Sequence, residues 1–233
     1  MLTFLSELLP LVFCIYFLKK INTKYLKVFF VYSLLLAIFS SVILIVLNIE
    51  ESRPAYFVVL RIYIAIEYAI LGYFFSILVQ NLIAKRIIIY SIIPFWLYCI
   101  YNFFISKHDT FNNYPSLIEF SAFILILLFY FYEKMNIVSS IPLFKSVSFW
   151  LCVGCFIYFT GNLFFLLFIT STKDKDLLNQ MFLIYSVVTI TKNIILAAAW
   201  FANERVATDA DIIKLPENMK LDNDFTFTHT TNP

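Results

Sequence analysis

The chain has 233 residues, of which 62% are hydrophobic and 14% are charged, and its formal net charge is +2. Soluble domains contain about 45–50% apolar and about 25% charged residues, so a water-soluble fold of this length could not bury so much apolar surface. The composition therefore excludes a soluble globular domain. It predicts a protein whose main partner is the lipid bilayer.

Seven segments of the chain are long and apolar enough to be considered as membrane-crossing helices, which need about 20 mostly apolar residues. Their apolar residues do not alternate with polar ones, which argues against the strands of a membrane β-barrel. We therefore expect an all-α, polytopic membrane protein that folds as a seven-transmembrane helix bundle. The predicted spans are 2–18, 28–48, 56–80, 87–106, 114–132, 147–170 and 178–201.

Basic residues are distributed unevenly between the loops on the two sides of these spans. The first, third and fifth loops hold eight: Lys19, Lys20, Lys24, Lys27, Lys85, Arg86, Lys134 and Lys145. The other three loops hold four: Arg53, Lys107, Lys173 and Lys175. Because cytoplasmic loops carry the excess of Lys and Arg, we expect the N-terminus outside and the C-terminus in the cytoplasm. Loss of the weak first span would leave six helices with the C-terminus still inside.

The composition changes after the last span. Residues 1–203 form the predicted membrane domain, whereas 204–233 are polar and contain six acidic and three basic residues. About thirty residues cannot bury a core of their own. We expect a mostly disordered cytoplasmic tail, with no attached kinase, cyclase or nucleic-acid-binding domain, and no nucleic acid as a partner.

The third predicted span, 56–80, carries two charges, Arg61 and Glu67. A charge at mid-membrane depth costs at least about 2.5–3.5 kcal/mol, so it normally faces the protein interior and has a partner. Counting residues along the spans puts Glu67 and Lys192 near the midplane. We expect these two side chains to form a switchable buried pair.

Other polar side chains fall in the outer third of the predicted bundle. They are Glu7, Arg61, Asn102 and Glu119. One interpretation is an outward-facing pocket for an unidentified small ligand, in which Arg61 binds an anionic or carbonyl group and Glu119 and Asn102 shape the mouth. The alternatives are structural ion pairs, such as Arg61 with Glu119 or Glu7, and side chains that reach the outer headgroups.

A second polar cluster lies at mid-depth on the last two spans. Asn162 and Asn193 can each donate and accept hydrogen bonds across helices, and Gly161 permits close approach of another backbone. The cluster is a candidate coupling site or simply an interhelical contact. Its members are Tyr158, Thr160, Gly161, Asn162, Lys192 and Asn193.

The sequence offers little for catalysis or metal binding. The two histidines, His108 and His229, fall in a loop and in the tail, so we expect no membrane-embedded zinc site, no other metal and no cofactor. Cys152 and Cys155 form a CxxC pattern inside an apolar span, where a packing role is expected. We predict no catalytic residues and a protein that is not an enzyme.

Phe149–Phe168, FWLCVGCFIYFTGNLFFLLF, and Leu183–Phe201, LIYSVVTITKNIILAAAWF, resemble the last two spans of an uncharacterised seven-transmembrane family of Bacteroidota-type bacteria. Glu67 followed by Tyr68 fits the same resemblance. That family occurs alone or ahead of histidine kinase domains, which implies a sensory role in the bacterial plasma (inner) membrane. Since this chain lacks the kinase, we expect a receptor- or sensor-like module that signals to a separate partner.

Two alternative functions remain open from the sequence. A transporter or permeation unit would use the intramembrane pair of Glu67 and Lys192. The arrangement of seven spans with a Lys in the last is also similar to microbial rhodopsins, and this resemblance implies that Lys192 carries a retinal Schiff base. The carboxylate that this family has four residues before the Lys is Val188 here, which departs from the pattern.

Overall fold

The computed structural model describes residues 2–17, 21–47, 53–105, 113–136, 143–171 and 175–202, and these residues are all-α. The predicted tail, 204–233, and most loop residues lie outside the described part of the chain. The helices are α1 Leu2–Tyr16, α2 Lys24–Leu47, α3 Arg53–Leu78, α4 Leu82–Ile105, α5 Tyr114–Asn136, α6 Val147–Ser171 and α7 Lys175–Ala198, with single 3₁₀ turns at Leu143–Lys145 and Ala199–Phe201.

The prediction of an all-α membrane protein is confirmed, and α2 to α7 are each long and apolar enough to cross a membrane. The helix α1 differs, because it is an apolar helix of 15 residues, shorter than the usual spanning length of about 20. Several helices also extend beyond the predicted apolar spans. For example, α2 begins at Lys24 and α5 continues to Asn136, because helical hydrogen bonding does not stop where the apolar sequence ends.

The helices pack as a ring with one helix outside it. Around the ring, α1 contacts α2, α2 contacts α3, α3 contacts α5, α5 contacts α6, α6 contacts α7, and α7 returns to α1. The helix α4 packs mainly against α3. Its buried residues are Ile88, Phe95 and Asn102, one every seven positions, so it presents only a narrow stripe to the bundle.

Aromatic side chains fill the interior of the ring. Tyr68 of α3 stacks on Phe95 of α4 with ring centres 3.9 Å apart and lies 4.9 Å from Phe123 of α5. Phe123 in turn lies 4.8 Å from Phe159 of α6. These contacts set the relative heights of α3, α5 and α6, and therefore place the polar residues of those helices.

Two glycines of α6 show that this helix approaches α7 closely. A Cβ atom added to Gly161 would lie 2.6 Å from Cγ1 of Val188, and one added to Gly154 would lie 2.9 Å from Cδ2 of Leu196. Carbon atoms in good contact are about 3.5–4.0 Å apart, so a side chain at Gly161 would collide with the branched side chain of Val188. At Gly154 the end of the flexible Leu196 side chain would have to shift. Polar residues flank both Gly161 and Val188 in the sequence, and two of them, Asn162 and Thr189, are buried.

Candidate functional site

Glu67 lies inside the bundle, with 1% of its surface exposed. The hydroxyl of Tyr32 on α2 donates a hydrogen bond of 3.0 Å to Oε1 of Glu67. Tyr63 is one helical turn before Glu67 on α3, and its ring packs on Phe39 of α2 at 5.2 Å. The contacts between α2 and α3 therefore surround the carboxylate with phenol rings rather than lipid.

Lys192 of α7 is also buried, with 1% exposed. Its Nζ lies 4.2 Å from the ring centre of Tyr158 on α6, which is a cation–π contact. The ammonium interacts electrostatically with the carboxylates of Glu67 and Glu7. Among the described residues no direct ion pair joins it to either carboxylate, so the charges of the expected pair share one region at longer range.

Glu119 of α5 is completely buried. Neither of its carboxylate oxygens has a hydrogen-bond partner within the described part of the chain. The carboxylate interacts electrostatically with Glu67, and also with Tyr158 of α6 and Cys99 of α4. The side chain therefore points into the bundle, and the expectation that it might extend to the headgroups does not fit this burial.

Glu7 anchors α1 to α2. It accepts a hydrogen bond from the hydroxyl of Ser40. On the other side of α1, the amide nitrogen of Asn193 on α7 donates a hydrogen bond of 3.0 Å to Ser6 Oγ. The polar contacts of α1 thus face the same interior that holds Lys192, which is next to Asn193 in the sequence.

The predicted polar cluster on α6 and α7 is buried where the two helices approach most closely. Asn162 is 2% exposed, and neither atom of its amide group has a hydrogen-bond partner among the described residues. The Thr189 hydroxyl and Oδ1 of Asn193 are in the same situation. Of the two asparagines expected to form hydrogen bonds across helices, Asn193 donates one to Ser6 of α1, whereas Asn162 forms none among the described residues.

The two remaining candidates, Arg61 and Asn102, are 8% and 9% exposed. Arg61 lies near the start of α3 and Asn102 near the end of α4, which is the same end of the bundle because consecutive helices are antiparallel. Both are buried rather than lipid-facing. The ligand-binding role predicted for Arg61 stays a prediction.

At the other end of the bundle, a polar contact that was not predicted from the sequence connects α5 with the turn between α3 and α4. The two carboxylate oxygens of Glu133 on α5 accept hydrogen bonds of 2.7 Å each from the backbone N–H groups of Gln80 and Asn81. Oδ1 of Asn81 accepts from the N–H groups of Ile83 and Ala84, which caps the start of α4. The turn between α3 and α4 is therefore tied to α5.

The site offers buried charges and phenols. Within the described residues no group of three or more His, Cys, Asp or Glu side chains is placed to hold a metal ion. A surface cleft of about 420 Å³ lies elsewhere, between α5 and α6, and is lined by apolar side chains and Lys134.

Comparison with protein-family models, with curated proteins and with solved structures finds no match to this chain. The resemblance to a seven-span bacterial family therefore stays a prediction.

Proposed function

We propose that the protein is a receptor- or sensor-like module of the bacterial inner membrane that signals to a separate partner and has no catalytic activity of its own. In this proposal α1 also crosses the membrane, which brings the number of spans to seven. The N-terminus is outside and the tail is cytoplasmic. Support comes from the excess of Lys and Arg in the odd-numbered loops. The place of α1 between α2 and α7, with Ser6, Pro10 and Cys14 buried, supports counting it with the bundle.

The observation that carries the proposal is the enclosure of Glu67 and Lys192 in the interior of the ring. Two buried charges that interact without direct contact are held less tightly than a bonded ion pair. Buried ionisable residues in a membrane protein are costly and usually functional. A ligand or a change of charge at Glu67 would alter the attraction between α3 and α7, and so favour a different packing of these helices.

The contact of Glu133 can transmit a movement of α3 to the cytoplasmic end of the bundle. Because α3 leads directly into the turn that Glu133 holds, movement of α3 would strain or release that turn. Arg86 and Lys145 are exposed at the same end of the bundle. An acidic surface on a signalling partner would complement them.

The experiment measures helix movement at this end of the purified full-length protein. Spin labels are attached at Arg86→Cys and Lys145→Cys in a background without the native cysteines, and their separation is measured by pulsed EPR. We expect Glu67→Gln and Lys192→Met to shift the distance distribution, and the double variant to shift it by less than the sum of the two. Ser186→Ala, a half-buried position on α7 whose hydroxyl donates to the backbone of Phe182, is the matched control and should leave it unchanged.

Unchanged distances in all variants would refute the sensor proposal. The transporter alternative also draws on the buried Glu67 and Lys192, and it predicts ion or proton flux across proteoliposomes that Glu67→Gln abolishes. The retinal alternative predicts visible absorbance on addition of retinal that disappears in Lys192→Ala. The three functions therefore differ in three separate measurements.

A further inference from the structure

The cleft between α5 and α6 combines an apolar wall with one positive charge. Its volume of about 420 Å³ falls within the range of about 300–1,000 Å³ that is usual for small-molecule sites. Three lining residues come from α5 and three from α6. They are Phe131, Lys134 and Met135 on α5, and Phe149, Val153 and Phe156 on α6. Lys134 is the one charged residue among them.

The cleft is elongated along the helices. Phe149, Val153 and Phe156 are spaced at i, i+4 and i+7, so they lie on one face of α6 and extend over about two turns, or roughly 10 Å. The ring of Phe131 contacts both Phe149 and Phe156 edge-on, with centres 5.8 and 5.9 Å apart. Aromatic rings therefore hold the two helices together along the cleft, and their edges form its wall.

The turn before α6 completes the lining at one end of the cleft. Leu143 of this turn is a lining residue. The indole N–H of Trp150 on α6 donates a hydrogen bond of 2.7 Å to the carbonyl oxygen of Phe144, the next residue of the turn. This bond fixes the turn to α6, so this part of the wall is formed before any molecule binds.

Lys134 lies where the apolar part of the cleft ends. It is in the last turn of α5, and its Nζ is 5.7 Å from the ring centre of Tyr130. The neighbouring carboxylate of Glu133 is used by the backbone N–H groups of Gln80 and Asn81. Among the described residues Lys134 therefore has an aromatic contact but no carboxylate partner, and its charge is available to a ligand in the cleft.

The surface around this end of the bundle is strongly basic. The described residues here include six cations: Lys24, Lys27, Lys85, Arg86, Lys134 and Lys145. Glu133 is the one carboxylate among the described residues at the same end. The ligand that complements such a surface is an anion.

We propose that the cleft binds one anionic phospholipid, with an acyl chain along the apolar wall and the phosphate group at Lys134. Both helices are long and apolar enough to cross the membrane, so the apolar wall faces acyl chains and Lys134 lies near the headgroups. Basic pockets between membrane helices bind anionic headgroups in this way. The proposal goes beyond the sensor function and does not depend on signalling.

The test is native mass spectrometry of the full-length protein in detergent. The protein is titrated with dioleoyl phosphatidylglycerol or with dioleoyl phosphatidylcholine, which have the same chains but differ in net charge. We expect one phosphatidylglycerol to bind with an apparent Kd roughly fivefold lower than that of phosphatidylcholine, since one lysine near the lipid surface contributes about this factor. Glycerol phosphate, which has the phosphate without the chains, should not displace the lipid.

Three variants separate the charge from the apolar wall. Lys134→Gln should remove the preference for phosphatidylglycerol. Lys27→Gln removes one positive charge from an exposed position on α2 at the same end of the bundle, so it is the matched control and should keep the preference. Val153→Phe fills part of the cleft and should weaken the binding of both lipids.

Equal affinities of the wild-type protein for the two lipids would overturn the proposal. So would an equal loss of preference in Lys134→Gln and Lys27→Gln, because the anionic lipid would then follow the overall charge of this end and not the cleft. Displacement by glycerol phosphate would show a site for phosphate alone. A lipid-free dimer that Val153→Phe dissociates would show a second copy of the chain in the cleft, and each of these results excludes the lipid site.

Discussion

Replacement of Gly161 by alanine tests how closely α6 and α7 pack beside Asn162 and Lys192. The new Cβ would lie 2.6 Å from Cγ1 and 2.7 Å from Cγ2 of Val188, which is β-branched and therefore stiff at χ1. Overpacking of this kind costs about 1–3 kcal/mol. Alanine returns up to about 1 kcal/mol through its higher helix propensity, so the net loss should be about 1–2 kcal/mol.

For a chain of 150–250 residues each kcal/mol changes the melting temperature by roughly 2–4 °C, so Gly161→Ala should lower it by roughly 2–8 °C. The assay is thermal unfolding in detergent, followed by tryptophan fluorescence. Gly72→Ala is the matched control, because its Cβ would lie 3.4 Å from Ile92, an ordinary contact, and we expect no loss. Val188→Ala should restore part of the stability when it is combined with Gly161→Ala.

Close packing of α6 against α7 at Gly161 is refuted if Gly161→Ala melts at the same temperature as Gly72→Ala. It is refuted equally if the double variant Gly161→Ala/Val188→Ala is less stable than Gly161→Ala alone. In either case α6 and α7 would have space between them at this level. The burial of Asn162 and Lys192 would then need another explanation.

Three further predictions concern individual hydrogen bonds. Tyr32→Phe removes the donor to the buried Glu67 and should cost about 1–3 kcal/mol, measured by thermal unfolding; an equal cost in a Glu67→Leu background, which has no acceptor, would contradict this explanation. Glu133→Gln should speed hydrogen exchange at the N–H groups of Gln80 and Asn81, and unchanged exchange would show that the contact does not hold the turn. Ser6→Ala leaves the amide of Asn193 without its partner and should speed hydrogen exchange at the backbone N–H groups of α1. Exchange at the wild-type rate would show that packing alone holds this helix.

The helices could be predicted from composition and apolar runs alone, because lipid demands about 20 apolar residues in each spanning segment. The exception is α1. Its apolar run approaches the spanning length only when Glu7 and Pro10 are counted in it, and its helix ends at Tyr16. A short run of this kind is compatible with a crossing helix or with a helix that packs within the bundle. Sequence length cannot distinguish the two.

The site was predictable in its charged residues and not in their neighbours. Glu67 and Lys192 are conspicuous because charges are rare in apolar spans. Tyr32 is not, because it is one of 15 tyrosines and its partner is 35 positions away. The burial of Glu119 was not predictable either, because counting along a span gives a position near the start of α5 and contains no information on which face of that helix meets its neighbours.

The place of α1 in the ring has a consequence for the order of biosynthesis. Ser6 and Asn193 are 187 positions apart, so at about 5–20 residues per second the partner of α1 on α7 is synthesised roughly 10–40 s later. During that interval α1 can pack on α2 but the ring is open, and Glu7 and Glu67 lack the only ammonium that the described interior supplies to them. Nascent chains that stop before α7 would expose these carboxylates to membrane proteases, whereas arrival of Lys192 closes the ring and supplies one positive charge to it.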